Sequence, residues 1–238
     1  MTNIKKIVSR ILYKWTKLRL RPIRVLCFHQ VSDQFDEEGM YAQDWISTSD
    51  FKDIVLRFVE KGYKFISLSE AFDRLRHDTF RCKKYVVLTA DDGWASLKNI
   101  LPWLNEQRIP VTLFLNPAFF DGKHYRIKNG EKYLTAEEVQ NLHKLYPLLT
   151  IGSHGWEHVS APLLSEVDFN ENVDKSVEVL SKLPNYIPYF AYTWGWHTDD
   201  TDKILIDKGM VIVNMKGRKN YQSHYALDRE ELNLNLEI

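Results

Sequence analysis

From residue 22 onward the chain alternates short runs of β-type residues with longer amphipathic patterns, and this alternation restricts the fold more than any single motif. The β-type runs cover 23–28, 64–68, 85–89, 111–115, 148–152, 187–192 and 211–214. Several are apolar at consecutive positions, as strands covered on both faces are. Between them the spacing predicts helices over 50–62, 69–77, 95–107, 136–146, 166–183 and 200–208. In the first of these, Phe51, Ile54, Val55, Phe58 and Val59 share one face, with Ser49 as a candidate N-cap. Thr135 and Glu138 stand at capping-box spacing, and Gly209 is placed to end a helix. Seven strands alternating with helices build an α/β fold around a parallel sheet. No GxGxxG or phosphate-loop pattern marks a nucleotide crevice, which favours a closed or nearly closed barrel over an open sheet.

The chain has 238 residues, enough for one domain to bury its core without disulfide or metal staples. Its two cysteines, Cys27 and Cys82, make no disulfide framework and fit a reducing compartment. Charge balances at 32 Lys+Arg against 32 Asp+Glu, which argues against a general nucleic-acid binder. The balance is uneven along the chain. Residues 1–24 carry eight basic residues and no acidic one, leaving 24 basic against 32 acidic in the remainder. Ile4, Ile7, Val8, Ile11, Leu12, Trp15 and Leu18 form an amphipathic stripe in this leader. The stripe suits a helix (1–21) packed on the domain (22–238), or one drawn to anionic lipid with Trp15 at headgroup level. No secretory h-region and no run of 18 apolar residues are present, so a cytoplasmic location, with peripheral contact at the inner membrane face, is expected.

In a parallel α/β barrel, reactive groups belong at the C-terminal ends of the strands. There the sequence places His29, the pair Asp91-Asp92 before Gly93, His154 with His158, and the run from Tyr192 to His197. Two adjacent carboxylates can divide the work of holding a metal and taking a proton. Asp92 can equally cap the next helix, with Gly93 easing the turn. His154 and His158, spaced i, i+4, can grip one ion from a helical turn, or simply lie side by side on the surface. With Asp92 they would complete a two-histidine, one-carboxylate set. His197 and His124 fall in loops, while His77, His143 and His224 have no partner pattern.

The ordered motifs TADDGW, IGSHGWEH and FAYTWG resemble the polysaccharide deacetylases of carbohydrate esterase family 4, the NodB-homology domain. FHQV and IPVTLFLNP strengthen the likeness, which runs from Arg24 to about residue 230 and is nearest the poly-N-acetylglucosamine deacetylase branch. The resemblance implies a distorted (β/α)7 barrel in one domain. It implies metal-dependent removal of acetyl groups, N-acetyl first, from a sugar of a polysaccharide or glycan precursor.

It also makes Asp91 the general base, and Asp92, His154 and His158 the ligands of a divalent metal, zinc before cobalt or nickel. The Trp194 backbone N–H becomes an oxyanion donor. VIVNMKG carries no late histidine, so His29 becomes the general acid, as in that branch. Trp94, Trp156, Trp196 and Tyr192 are candidate sugar contacts. Given the leader, a lipid-linked saccharide is a candidate substrate. The chain departs from the family pattern at Ala90, at Gly155 (often Ser or Thr), at Ala191 (often an Arg orienting the base) and at Thr193 (often Pro). The departures at Gly155, Ala191 and Thr193 leave an inactive, glycan-binding scaffold as one alternative, and an O-acetyl esterase is another, because water activation is the same for either bond.

Overall fold

A computed structural model describes residues 23–34, 45–77, 84–121, 132–215 and 226–238. The amphipathic leader, Cys82, His124 and His224 lie outside the described residues.

The strands are β1 (Ile23–Phe28), β2 (Gln30–Val31), β3 (Trp45–Ile46), β4 (Lys64–Phe65), β5 (Tyr85–Ala90), β6 (Val111–Leu115), β7 (Leu149–Ser153), β8 (Tyr186–Ala191), β9 (Val211–Met215) and β10 (Ala226–Glu231). The helices are α1 (Thr48–Glu60), α2 (Leu68–Arg76), α3 (Leu101–Glu106), α4 (Ala136–Leu145), α5 (Glu166–Leu180) and α6 (Asp199–Asp207). Parallel pairing runs β1-β10-β9-β8-β7-β6-β5, and β5 pairs with β1 again from Ile23↔Tyr85 to Phe28↔Ala90. Seven parallel strands thus close on themselves as a (β/α)7 barrel.

The count of seven matches the expectation, but its membership differs. The run 64–68 yields only the two-residue β4, set beside the start of β5. The seventh barrel strand is instead β10, whose sequence ALDREE does not read as a buried strand. It docks because its charges find partners: Glu230 pairs with Arg24 at 3.0 Å, and the fully buried Arg229 is held inside the barrel.

Strand residues alternate between two apolar layers. Val25, Val87, Phe114, Tyr189, Val213 and Leu227 join one cluster in the barrel interior. Leu26, Phe28, Val86, Leu88, Leu113 and Ile151 join the layer beneath the helices, with Phe51, Ile54 and Phe58 of α1 and Val139 of α4. Burial on both faces is why the strands are continuously apolar.

Helix ends follow local chemistry. Ser47, two residues earlier than Ser49, caps α1, its hydroxyl accepting from the Asp50 N–H. Thr135 and Glu138 form the expected capping box, and Gly209 has φ +72° just past α6. The stretch 95–107 is not one helix. A 3-10 turn (Ala95–Asn99) precedes α3 because Pro102 cannot donate the N–H that a continuous helix needs. No helix among the described residues is long and apolar enough to cross a membrane.

Candidate active site

The site lies where β1, β5, β7, β8 and β10 end. Parallel strands deliver their last inward residues to one level, so Cys27, Asp91, His154 and Arg229 meet although they are far apart in sequence. After β5 the backbone turns sharply. Asp92 adopts φ +68° and Gly93 φ +80°, a left-handed pair that sends the two adjacent carboxylates in different directions. Asp tolerates this conformation better than most residues. Asp92 does not cap the following turn, which has no side-chain cap.

Asp91 is 3% exposed and gripped by a planar guanidinium: Arg229 donates Nη1–H to Oδ1 at 2.6 Å and Nη2–H to Oδ2 at 2.7 Å. Nη1 also reaches the Thr89 hydroxyl at 3.2 Å, which fixes the fork. Burial pushes the Asp91 carboxyl up, but the charge and hydrogen bonds of Arg229 outweigh it and hold the group at about 2. Asp91 is therefore ionised at any working pH. The Cys27 thiol donates to Asp91 Oδ2 at 3.5 Å, and burial pushes that thiol well up.

Asp92 is compensated differently. Its Oδ1 lies 3.2 Å from His158 Nε2 and 3.5 Å from His154 Nε2, yet it accepts no well-formed hydrogen bond. His154 Nδ1 sits 2.7 Å from the Ala191 carbonyl oxygen, which can only accept, so the proton is on Nδ1. With Nδ1 so bonded, Nε2 is the ring nitrogen turned toward the Asp92 carboxylate. A buried carboxylate oxygen and two imidazole nitrogens this close can share a cation, and the outer Nδ1–H···O=C bond is how proteins orient a ligating imidazole. Burial pushes the Asp92 carboxyl up, while the imidazoles of His158 and His154 bring it well below the ordinary range. The trio fits a divalent metal, and its separations match the roughly 3.3 Å between ligands on a tetrahedral ion.

The two histidines do not share a helical turn. They flank a loop in which Gly155 takes φ +84°. That conformation favours glycine, and a Cβ at Gly155 would stand 2.5 Å from Asn172 Oδ1, so a side chain here would be strained and would have to displace Asn172. Asn172 of α5 accepts the Trp156 N–H at 2.9 Å, and Asn116 after β6 donates to the carbonyls of His154 (2.6 Å) and Gly155 (3.1 Å). At Ala191 no arginine is present, and Arg229 reaches Asp91 from β10 instead. Thr193 tightens its loop, its hydroxyl donating to the Val159 carbonyl.

That loop carries Trp194 at φ +58°, which costs about 1 kcal/mol for a residue other than glycine. Both ends of the turn are tied to one carboxylate. Tyr192 Oη donates to Asp202 Oδ1 at 2.9 Å, and His197 Nδ1 lies 3.0 Å from both Asp202 oxygens. His197 is thus a buried support at 7% exposure and not a rim residue. The Trp194 ring meets His158 edge-on at 4.9 Å.

The expected sugar contacts divide. Trp194 and Trp196 are 45% and 51% exposed, and Trp156 is half-buried. Trp94 and Tyr192 are not on the rim, at 2% and 1%. Trp94 stacks on Tyr133 and donates its indole N–H to Asp92 Oδ2 at 3.1 Å, so it supports the carboxylate. His29 is half-buried at the end of β1, with a ring nitrogen within 4.8 Å of a carboxylate oxygen of Asp91. Arg229, Asn172 and Asp202 lie outside the motifs, and Asn116, though inside IPVTLFLNP, was not singled out. The one available signal was the i, i+2 alternation of Leu227 and Arg229 late in the chain.

The fold is thus a parallel (β/α)7 barrel with two carboxylates and two imidazoles at its C-terminal mouth. The polysaccharide deacetylase family profile matches residues 80–213, more than half of the chain, and the chain belongs to that family. Among solved structures it resembles IcaB from Ammonifex degensii, at 23% identity and TM-score 0.71, covering 89% of this chain and 92% of that one. It also resembles the Streptococcus pyogenes deacetylase PplD in complex with acetate (20%, TM-score 0.73, covering 90% and 93%). A third likeness is to a de-N-acetylase from Aggregatibacter actinomycetemcomitans (18%, TM-score 0.69, covering 91% and 97%). At these identities the likeness is one of fold. No curated protein matches by sequence.

Proposed function

We propose that the protein is a metal-dependent carbohydrate deacetylase, acting on the N-acetyl group of an amino sugar in a polysaccharide or glycan precursor. The observation that carries this reading is the unequal treatment of two neighbouring carboxylates. Asp91 is paired with Arg229, while Asp92 Oδ1 and the Nε2 atoms of His154 and His158 converge as a two-histidine, one-carboxylate ligand set. Asp92, His154 and His158 would hold a divalent ion, zinc first and cobalt or nickel as substitutes. Such an ion supplies Lewis-acid polarisation of the acyl oxygen and acidifies water.

The chain's own groups do the rest. Asp91, ionised and aimed by the Arg229 fork, accepts the proton of the attacking water on a carboxylate oxygen. His29 returns a proton to the leaving amine nitrogen. The Trp194 N–H donates to the oxygen where negative charge develops, on a turn held from both ends by Asp202. Trp194 and Trp196 offer exposed aromatic faces to sugar rings. The basic stripe of residues 1–24 supports action at the inner membrane face on a lipid-linked saccharide.

The test is acetate release from N-acetylglucosamine oligomers by protein carrying one equivalent of zinc. Release that is lost in Asp91→Asn, with the metal retained, is the expected result. Glycan binding without release in the metal-loaded protein would overturn the reading.

A further inference from the structure

Beside the proposed metal centre stands a second set of ligand atoms with no part in holding the first ion. Cys27 Sγ, a ring nitrogen of His29 and a carboxylate oxygen of Asp91 lie within 4.8 Å of one another. Cys27 lies on β1 and His29 directly follows its end, and β1 pairs with β5 up to Phe28↔Ala90, which sets both residues beside Asp91. The Sγ to Oδ2 separation of 3.5 Å is what a tetrahedral zinc spans between a sulfur at about 2.3 Å and an oxygen at about 2.0 Å.

We infer that Cys27, His29 and Asp91 form a second, inhibitory zinc site, which fills only when zinc exceeds one equivalent. The inference rests on the proposed function for its consequence, but not for the binding itself. On binding, the thiol gives its proton to solvent and the thiolate, the imidazole and the carboxylate each share one lone pair with the ion. The same three bonds disable the chemistry, because they occupy the oxygen of Asp91 that takes a proton and the nitrogen of His29 that delivers one.

The order of filling follows from charge. Asp91, Asp92 and Arg229 leave one net negative charge, which the first divalent ion reverses, so the second enters against a positive field with Arg229 bonded to the shared carboxylate. Thiol ligation selects soft ions, so zinc, cobalt and cadmium are inhibitory here and magnesium and manganese are not.

Cobalt titration of the full chain tests this. The first equivalent should give visible d–d bands without thiolate charge transfer, and the second should add a near-ultraviolet thiolate-to-cobalt band. That band should vanish in Cys27→Ser and persist in Cys82→Ser. In parallel, zinc beyond one equivalent should lower acetate release by at least about 100-fold in the parent. Cys27→Ser, normalised to its own rate at one equivalent, should lose less than about three-fold, since its base and acid stay clear of the ion. Should Cys27→Ser fold poorly, loss of the thiolate band in His29→Asn reads the same site. No thiolate band at any cobalt concentration, or one surviving Cys27→Ser, overturns this inference and leaves the Asp92 centre standing. First-equivalent d–d bands that survive Asp92→Ala overturn that centre and, with it, the order of filling.

Discussion

The two halves of the site use the same side chain to opposite ends. On the β10 side, Asp91 is locked to a permanent cation by two bonds of 2.6 and 2.7 Å in a fully buried pair. On the β7 side, one residue later, Asp92 faces two imidazole nitrogens at 3.2 and 3.5 Å and no guanidinium. A barrel mouth can thus make one carboxylate a constant and its neighbour a socket. A permanent guanidinium keeps Asp91 ionised and immobile, whereas under the proposed function the Asp92 set would take an ion that can be loaded, substituted or removed.

Separating the two carboxylates by mutation gives the largest expected effects. Asp92→Ala should lose metal retention and acetate release together. Asp91→Asn should keep the metal and lose about 10²- to 10⁴-fold in acetate release. Metal content measured beside the rate decides it, and loss of metal in Asp91→Asn would erase the distinction.

Arg229→Ala comes next, leaving a buried carboxylate unpaired at a cost of about 3–5 kcal/mol in denaturant unfolding. The double variant Asp91→Asn/Arg229→Met should recover most of that stability without recovering activity.

Acid sharpens the same contrast. Held at about 2 against an ordinary 3.8, Asp91 contributes about 2 kcal/mol of stability above pH 4. Because the folded-state value is depressed, that contribution is lost as pH falls from 4 through 2. Denaturation midpoints measured over this window should fall less steeply in the double variant than in the parent.

At the rim the effects are smaller. Trp196→Ala should raise KM about two- to ten-fold with kcat nearly unchanged. Deleting residues 1–20 should weaken binding to anionic vesicles while leaving acetate release intact; unchanged vesicle binding would remove the membrane half of the proposal.

How much of this was legible in the chain differs between the two halves. The Asp92 half is readable because its ligands sit in compact motifs, TADDGW and IGSHGWEH, and because Gly93 and Gly155 mark the turns that aim them. Even there, the i, i+4 spacing suggested a helical turn, and a loop clamped by Asn116 and Asn172 does the work instead. The Asp91 half is not readable. Its partner lies 138 residues away on a strand with charges at four successive positions, Asp228 to Glu231, which local hydropathy assigns to a surface. Trp94 and Tyr192 show the same limit: a motif places an aromatic beside a site but does not say whether its face or its polar end is used.

The chain by itself determined the alternation of strands and helices, the caps at Thr135 and Gly209, and the candidate ligands at strand ends, because each depends on residues within a few positions of one another. Only tertiary structure decided that β10 and not β4 completes the barrel, that Arg229 on β10 pairs with Asp91, and that Cys27 and His29 converge on Asp91. Those outcomes depend on barrel closure, which sets which inward side chains share a level, and closure is a property of strands brought together from across the whole sequence.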